Sequence, residues 1–257
     1  VEETDDVLAA EGPLEIAVVS GPAHSRSVKV VSVTMRTPGS DIALSVGYLM
    51  AEGAISGARD VLSATEAPGV VTLELAPHVQ PQWETLDRRS ATTSSCGACG
   101  KTSAAAALGT TAAVTDWAGV AVRGSFLQSL PDRLRSTQAA FASTGGVHAS
   151  AVFALDGALL GAAEDVGRHN ALDKLVGRAS LDGALPFGPA VLVLSGRASH
   201  ELVQKATMAD IGFIAAIGAP SSLAVDLAVR CGITLVGFLR PTSFNVYSHS
   251  HRIDFDY

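Results

Sequence analysis

The chain has 257 residues, 47% of them hydrophobic and only 17% charged, with a formal net charge of -7 and a pI near 5.4. That much apolar material can bury a large core, in one large domain or two modest ones. The acidic balance argues against a nucleic-acid-binding surface, while a local basic pocket for an anionic ligand stays compatible with it.

The opening Val-Glu-Glu-Thr-Asp-Asp is acidic where a secretory signal is basic, and no uninterrupted apolar run reaches membrane-spanning length. With no initiator Met, the native start is expected further upstream. Three cysteines, two of them clustered, make no disulfide framework and suit a reducing cytoplasm. Residues 14–19 and 27–35 read as strands joined by a Gly-Pro turn, followed by a helix from Ile42 to Met50 and a strand from Val70 to Leu75. A polar stretch from Pro77 to Thr93 reads as a mobile surface connection. A helix is expected from Gly124 to Ala142. Strands at Ala149–Leu155 and Ala158–Ala163 flank Asp156-Gly157, a pair that supplies the backbone angles of a hairpin turn.

From Ala190 strands and helices alternate: strand 190–194, helix 199–209, strand 213–217, helix 221–230, strand 233–238. This order predicts a parallel sheet with right-handed crossovers. Helix 221–230 is apolar almost all round except for Asp226 and Arg230, which predicts that it is sandwiched in the interior or at a subunit contact.

Between the two halves lies Ser-Ser-Cys-Gly-Ala-Cys-Gly-Lys-Thr, residues 94–102, just ahead of an alanine run. Lys101 and the free N–H groups of a following helix would favour thiolates at Cys96 and Cys99, and the glycines would leave both sulfurs accessible. Zinc binding would need two further ligands, yet the chain has no His-x-Glu and no second Cys-x-x-Cys. Gly100-Lys101-Thr102 imitates the end of a Walker A loop, but the required opening glycine is Ser95. His200-Glu201 begins like a zinc-protease helix, but Gln204 stands where the second histidine belongs. A redox dithiol remains open, although the pair follows a polar connection and not an early strand. Cys231, at a helix end, reads as a buried structural thiol.

Ligands of open parallel sheets bind beyond the carboxyl ends of the strands. Three such ends carry Ser195-Gly196-Arg197, Gly218-Ala219-Pro220-Ser221 and Phe238-Leu239-Arg240-Pro241-Thr242-Ser243. Glycines permit close backbone approach, Ser195 and Ser221 offer hydroxyls, and Arg197 and Arg240 can fork onto phosphate oxygens. The competing reading is that these residues merely turn the chain and the arginines are solvated. Glu164-Asp165-Val166-Gly167-Arg168-His169-Asn170 crowds charge, imidazole and amide at another strand end, ahead of a helix Ala171–Arg178. The structural alternative is that Asn170 caps the helix while Asp165 and Arg168 form a surface ion pair. His148 and His169 could act in proton transfer or as packed hydrogen-bonding groups.

Taken in order, CGACGK at 96–101, TGGVH at 144–148, EDVGRHNALDKL at 164–175, LSGRASHELVQKA at 194–206 and APSSLAVDLA at 219–228, then LVGFLR and FNVYS, closely resemble the formate dehydrogenase accessory sulfurtransferase family, FdhD. The match spans nearly all the chain after about residue 35. The resemblance implies a cytoplasmic sulfurtransferase that accepts persulfide sulfur from a cysteine desulfurase and passes it to the molybdenum cofactor, Mo-bis(molybdopterin guanine dinucleotide), for formate dehydrogenase. By position, Cys96 matches the persulfide-bearing cysteine and Cys99 its helper, while Phe238, Leu239, Arg240, Pro241, Thr242 and Ser243 match the cofactor-binding stretch. Ser195, Gly196, Arg197, Ala219, Ser221, Arg168 and His169 are assigned to the same cofactor site, which a guanine nucleotide could also occupy.

The fold expected from the resemblance is α/β. A small N-terminal α/β domain, residues 1–115, would end in the mobile cysteine loop. A larger three-layer domain, residues 116–257, would be similar to the cytidine deaminase fold without its zinc, with a mostly parallel C-terminal sheet. No structural metal is expected, and the family implies a homodimer with no nucleic-acid or membrane partner. Two rival functions remain: a cofactor-binding chaperone, whose affinity would survive loss of both cysteines, and a dithiol oxidoreductase, which would cycle a Cys96–Cys99 disulfide.

Overall fold

A computed structural model describes residues 5–81, 83, 113–114, 117 and 119–255. Cys96, Cys99 and Lys101 lie outside the described residues, as does the domain boundary expected near residue 115. The described chain is a mixed α/β structure with two main sheets.

The smaller sheet holds β1 (Gly12–Ser20), β2 (Ser27–Arg36), β3 (Val61–Ala67) and β4 (Val70–Leu75) in the order β2-β1-β4-β3. Strands β1 and β4 run parallel, and the outer pairs are antiparallel. The crossover between the parallel strands carries helix α1 (Asp41–Ala51). Leu14, Ile16, Val18, Val71, Leu73 and Leu75 alternate along β1 and β4 and are buried together with Leu44, Val46 and Leu49 of α1, as strand and helix periods require. Strand β3 is not among the elements expected from the sequence. It is an edge strand exposed along nearly its whole length, so no apolar alternation marks it.

The larger sheet has the order β11-β10-β9-β8-β6-β7. Its strands are β6 (His148–Ala154), β7 (Leu159–Asp165), β8 (Ala190–Leu194), β9 (Phe213–Ala216), β10 (Thr234–Arg240) and β11 (Ser243–Ser248). Only β8, β9 and β10 pair in parallel, as their alternation with helices predicts. Antiparallel pairings flank them on both sides, so the sheet is mixed, not mostly parallel. A short parallel pair, β5 (Val122–Arg123) with β12 (Ile253–Asp254), stands apart.

Both faces of the larger sheet are covered, which is why β8 reads Ala-Val-Leu-Val-Leu without a polar position. Leu192 and Leu194 enter one core with residues of α4 (Arg168–Leu181), α5 (His200–Met208) and α6 (Ser222–Cys231). Val191 and Val193 enter a second core with Leu127, Leu130 and Leu134 of α2 (Gly124–Thr137). The first core continues without a break through α1 to the smaller sheet. Helices α1 and α4 touch backbone to backbone: a Cβ on Gly47 would lie 2.0 Å from the Asp173 carbonyl oxygen, and one on Gly177 would lie 1.8 Å from that of Ala43.

Two expected helices differ in the structure. The helix expected to Ala142 breaks at Gln138, and a short α3 (Ala139–Thr144) follows. Ser136 and Thr137 turn their hydroxyls back onto the carbonyls of Arg133 and Leu134, which favours a stop there. The Glu164 carboxylate then receives the N–H groups of Ala140 and Phe141 at 2.8 Å each. Helix α6 is not sandwiched within the chain: Ala224, Leu227, Ala228 and Cys231 are buried, but Leu223 and Val229 are about half exposed. None of the described helices is long and apolar enough to cross a membrane.

Candidate functional site

The carboxyl ends of β7, β8, β9 and β10 and the amino ends of β6 and β11 share one edge of the larger sheet, as the strand pairings require. The three loops that the sequence points to are joined there by their backbones. Gly218 N–H donates to the Gly196 carbonyl at 2.9 Å, Ala198 N–H to Ala219 at 3.2 Å, Ser221 N–H to Ala198 at 3.0 Å, and Phe238 N–H to Gly218 at 3.1 Å. Such close approach leaves no room for side chains at two positions. A Cβ on Gly218 would meet the Gly196–Arg197 backbone at 2.9 Å, and one on Gly237 would meet Pro220 Cδ at 2.7 Å.

Two arginines and a phenylalanine rise from this frame. Arg197 is exposed and makes no hydrogen bond or ion pair among the described residues. Arg240 is also exposed, but its Nη1 is anchored on the carbonyls of Ile217 and Leu239 at 2.7 Å each, leaving Nη2 and Nε for a ligand. Phe238 adopts φ 51° at a break in the β10–β11 register, and its side chain is 43% exposed. A bulky residue held in the left-handed region beside a frame of glycines marks stored strain of the kind found at ligand sites.

The remaining strand-end residues divide by role. Pro241, Thr242 and Ser243 are exposed, whereas the Leu239 side chain is fully buried in the second core. Ser195 Oγ accepts the Ala149 N–H at 2.8 Å and Ser221 Oγ caps α6 by accepting from Ala224, so both hydroxyls already serve the fold. Ala219 is half-buried and contributes its carbonyl to the loop junction.

The β7–α4 turn brings Arg168 and His169 to the same edge. The ion pair that spacing allows does not link Asp165 to Arg168. Asp165 is fully buried and pairs with Lys174 Nζ at 2.7 Å, while accepting N–H groups from Thr37, Gly167 and the Asn170 amide. Asn170 does not cap the helix, since Gly167 holds that position. Its amide donates to the Met35 carbonyl at 2.8 Å, tying α4 to β2. No sequence pattern points to Thr37 or Lys174 as partners of Asp165, because Thr37 is more than a hundred residues away and Lys174 lies inside the helix.

His169 Nε2 lies 3.2 Å from Ser199 Oγ and 3.5 Å from Glu201 Oε2. Burial pushes its pKa down to about 4, against the opposing pull of Glu201 and with help from Lys205, Arg168 and His148. His148 pairs with Asp165 across the β6–β7 ladder and rests on Gly196, where a Cβ would come within 3.3 Å of its ring. Burial, then Arg168, lowers its pKa as well. Both imidazoles are therefore neutral at pH 7, which makes them hydrogen-bonding groups before they are cations. Ser199 and Glu201 are neighbours of His169 that sequence reasoning does not bring to this edge, since it weighs Glu201 only as part of a zinc-protease motif, although a serine just before an apolar helix is a readable cap. Behind them Lys205 and Asp173 form a buried ion pair, with both Asp173 oxygens 2.9 Å from Lys205 Nζ.

A separate cavity of about 540 Å³, lined by residues including Arg59, Asp60 and His78, shares no residue with this edge. The strand-end edge is the better candidate, since it gathers exposed guanidinium groups, an exposed ring and two neutral imidazoles on one hydrogen-bonded frame.

Comparison with known proteins agrees with the motif pattern. The model of the FdhD/NarQ family matches residues 9–254. Curated relatives called sulfur carrier protein FdhD are 48% identical in Streptomyces avermitilis, with 98% of this chain and 91% of that protein covered, and 46% identical in Mycobacterium tuberculosis, with 96% and 92% covered. The crystal structure of a formate dehydrogenase accessory protein from Desulfotalea psychrophila superposes with a TM-score of 0.76 at 25% identity, over 98% of this chain and 93% of that one. A family match over nearly the whole chain, relatives close to half identical and a shared fold lead to one conclusion: the chain belongs to the FdhD/NarQ family.

Proposed function

We propose that this protein is a sulfur carrier for the maturation of formate dehydrogenase. It would take sulfane sulfur from a cysteine desulfurase onto Cys96 and deliver it to a substrate, the molybdenum cofactor in its bis(molybdopterin guanine dinucleotide) form. The observation that carries the reading is the single edge on which Arg197, Arg240 and Phe238 stand on glycine-built, hydrogen-bonded loops. The names of the close relatives support the sulfur chemistry.

The edge suits a guanylated pterin. Arg197 and the unused N–H groups of Arg240 match diphosphate oxygens. The exposed Phe238 ring offers a face for stacking a flat heterocycle. The larger sheet and its helices are read as a zinc-free relative of the cytidine deaminase fold. The working protein is read as a cytoplasmic homodimer.

Cys96 reacts as the thiolate, because the thiolate is the nucleophile in sulfur exchange. It attacks the terminal sulfur of the donor persulfide, the donor S–S bond breaks, and the donor leaves as a thiolate while Cys96 carries the new persulfide. That exchange is redox-neutral. In delivery, Cys99 attacks Cys96 Sγ, the terminal sulfur leaves as sulfide to the acceptor, and the resulting Cys96–Cys99 disulfide is returned to the dithiol by an external thiol reductant. Arg197 and Arg240 hold the acceptor meanwhile.

Incubation with a cysteine desulfurase and free cysteine, followed by intact-mass measurement, is expected to add one sulfur atom to the wild type and none to Cys96→Ala. Cys99→Ala should load but deliver poorly. A persulfide formed equally well on Cys96→Ala would overturn the assignment.

A further inference from the structure

The contacts of His169 decide which of its ring nitrogens carries the proton. Its Nε2 faces Ser199 Oγ at 3.2 Å and Glu201 Oε2 at 3.5 Å. An ionised carboxylate has only lone pairs to offer, so an unprotonated Nε2 would set lone pair against lone pair. A protonated Nε2 donates to Ser199 Oγ and is attracted by the carboxylate. The charge on Glu201 is itself held in place, with Oε1 3.8 Å from Lys205 Nζ, and Lys205 is seated on Asp173. The Ser199 hydroxyl can serve either tautomer, so the carboxylate is what biases the neutral ring toward Nε2–H, with the lone pair on Nδ1. Nδ1 makes no hydrogen bond among the described residues.

We propose that His169 Nδ1 is a hydrogen-bond acceptor that reads an N–H donor edge of the ligand bound at the strand ends, and that Glu201 is the positioning residue that fixes the tautomer. The inference rests on the guanylated-pterin reading above and deepens it. The arginines recognise phosphate, which every nucleotide carries, whereas an acceptor beside the β8 loop selects heterocycles with a lactam N–H, such as guanine or a pterin. Ser199, which contacts His169, lies two residues from Arg197 on that loop, which puts the imidazole and the guanidinium on one sheet edge. Among the described residues the titratable groups that bear on the ring are Glu201, which favours its protonation, and Lys205, Arg168 and, when protonated, His148, which oppose it. With its pKa pushed down to about 4, only about one molecule in a thousand is protonated at pH 7. That fraction suits a fixed acceptor and not a proton shuttle.

The first test needs no ligand: nitrogen-15 NMR of the wild-type imidazoles is expected to show His169 as Nε2–H, and a dominant Nδ1–H form would overturn the proposal. In Glu201→Leu the tautomers are expected to mix; a ring unchanged by that substitution would remove Glu201 from its role. The second test titrates GDP and, separately, pyrophosphate by calorimetry. His169→Leu is expected to weaken GDP about 10-fold and leave pyrophosphate unchanged, and His169→Gln, which restores an acceptor, should recover part of the loss. Equal weakening of both ligands would mean a structural role, and undiminished GDP binding in His169→Leu would defeat this inference alone. A wild type that takes no GDP would defeat the nucleotide reading of the site and this inference with it.

Discussion

Gly177→Ala tests whether the two sheets are joined by contact between helix backbones. In an ordinary helix interior this change stabilises by about 1 kcal/mol, because alanine loses less conformational entropy than glycine. Here the added Cβ would sit 1.8 Å from the Ala43 carbonyl oxygen and 2.7 Å from Gly47 N. Helices α1 and α4 would have to part by about 1.5 Å to restore van der Waals contact. Leu44, Val46, Leu172, Leu175 and Val176, all within 4% of full burial, would lose packing with that movement. Overpacking strain and the loosened core together cost about 3–4 kcal/mol, so after the propensity gain the variant should be less stable by about 2–3 kcal/mol. Urea unfolding with linear extrapolation measures the difference. Gly47→Ala should behave alike, and the double variant should cost less than the two singles combined, because the first substitution opens the gap that the second needs. A Gly177→Ala protein as stable as the wild type, or more so, would refute the reasoning.

The pH dependence of stability should carry a His169 component of defined sign. Its folded pKa of about 4 lies below the usual 6.5, so the unfolded chain binds more protons between those values. The contribution is whole above pH 6.5 and falls with pH, by roughly 2–2.5 kcal/mol between pH 7 and pH 4.5. Asp173, pushed up to about 6 chiefly by burial, works in the opposite sense over much of this range. The readout is therefore the difference between wild type and His169→Gln, measured by urea unfolding at both pH values; a pH-independent difference would sink the assignment. Asp165→Asn should destabilise by about 3–5 kcal/mol, because the buried Lys174 ammonium loses its counter-charge. A loss below about 1 kcal/mol in the same assay would show that Lys174 is satisfied without it.

The frame of the candidate site is legible in the sequence. Alternation alone places Phe238 to Ser243 and the glycines at 196 and 218 at strand ends, and folding gathers those ends on one edge. The motifs also name the family. Other features are not legible, and each has a physical cause. Strand β3 shows no burial period because it is an exposed edge. The end of α2 depends on hydroxyls that turn back and on Glu164, twenty-odd residues downstream. Asp165 reads locally as half of a surface pair, but its partners include Thr37 and Lys174, which only folding brings together.

From the sequence alone come most of the elements of the larger sheet, the parallel run β8-β9-β10 and the Cys-x-x-Cys spacing, because residue periodicity and short spacings are local properties that a reading along the chain can detect. The tertiary structure decides which charges are buried, which glycines are contacts between helices and which groups face the His169 ring. Those properties depend on desolvation and on partners distant in the chain, Met35 with Asn170 and Asp173 with Lys205 among them, and no local pattern encodes either.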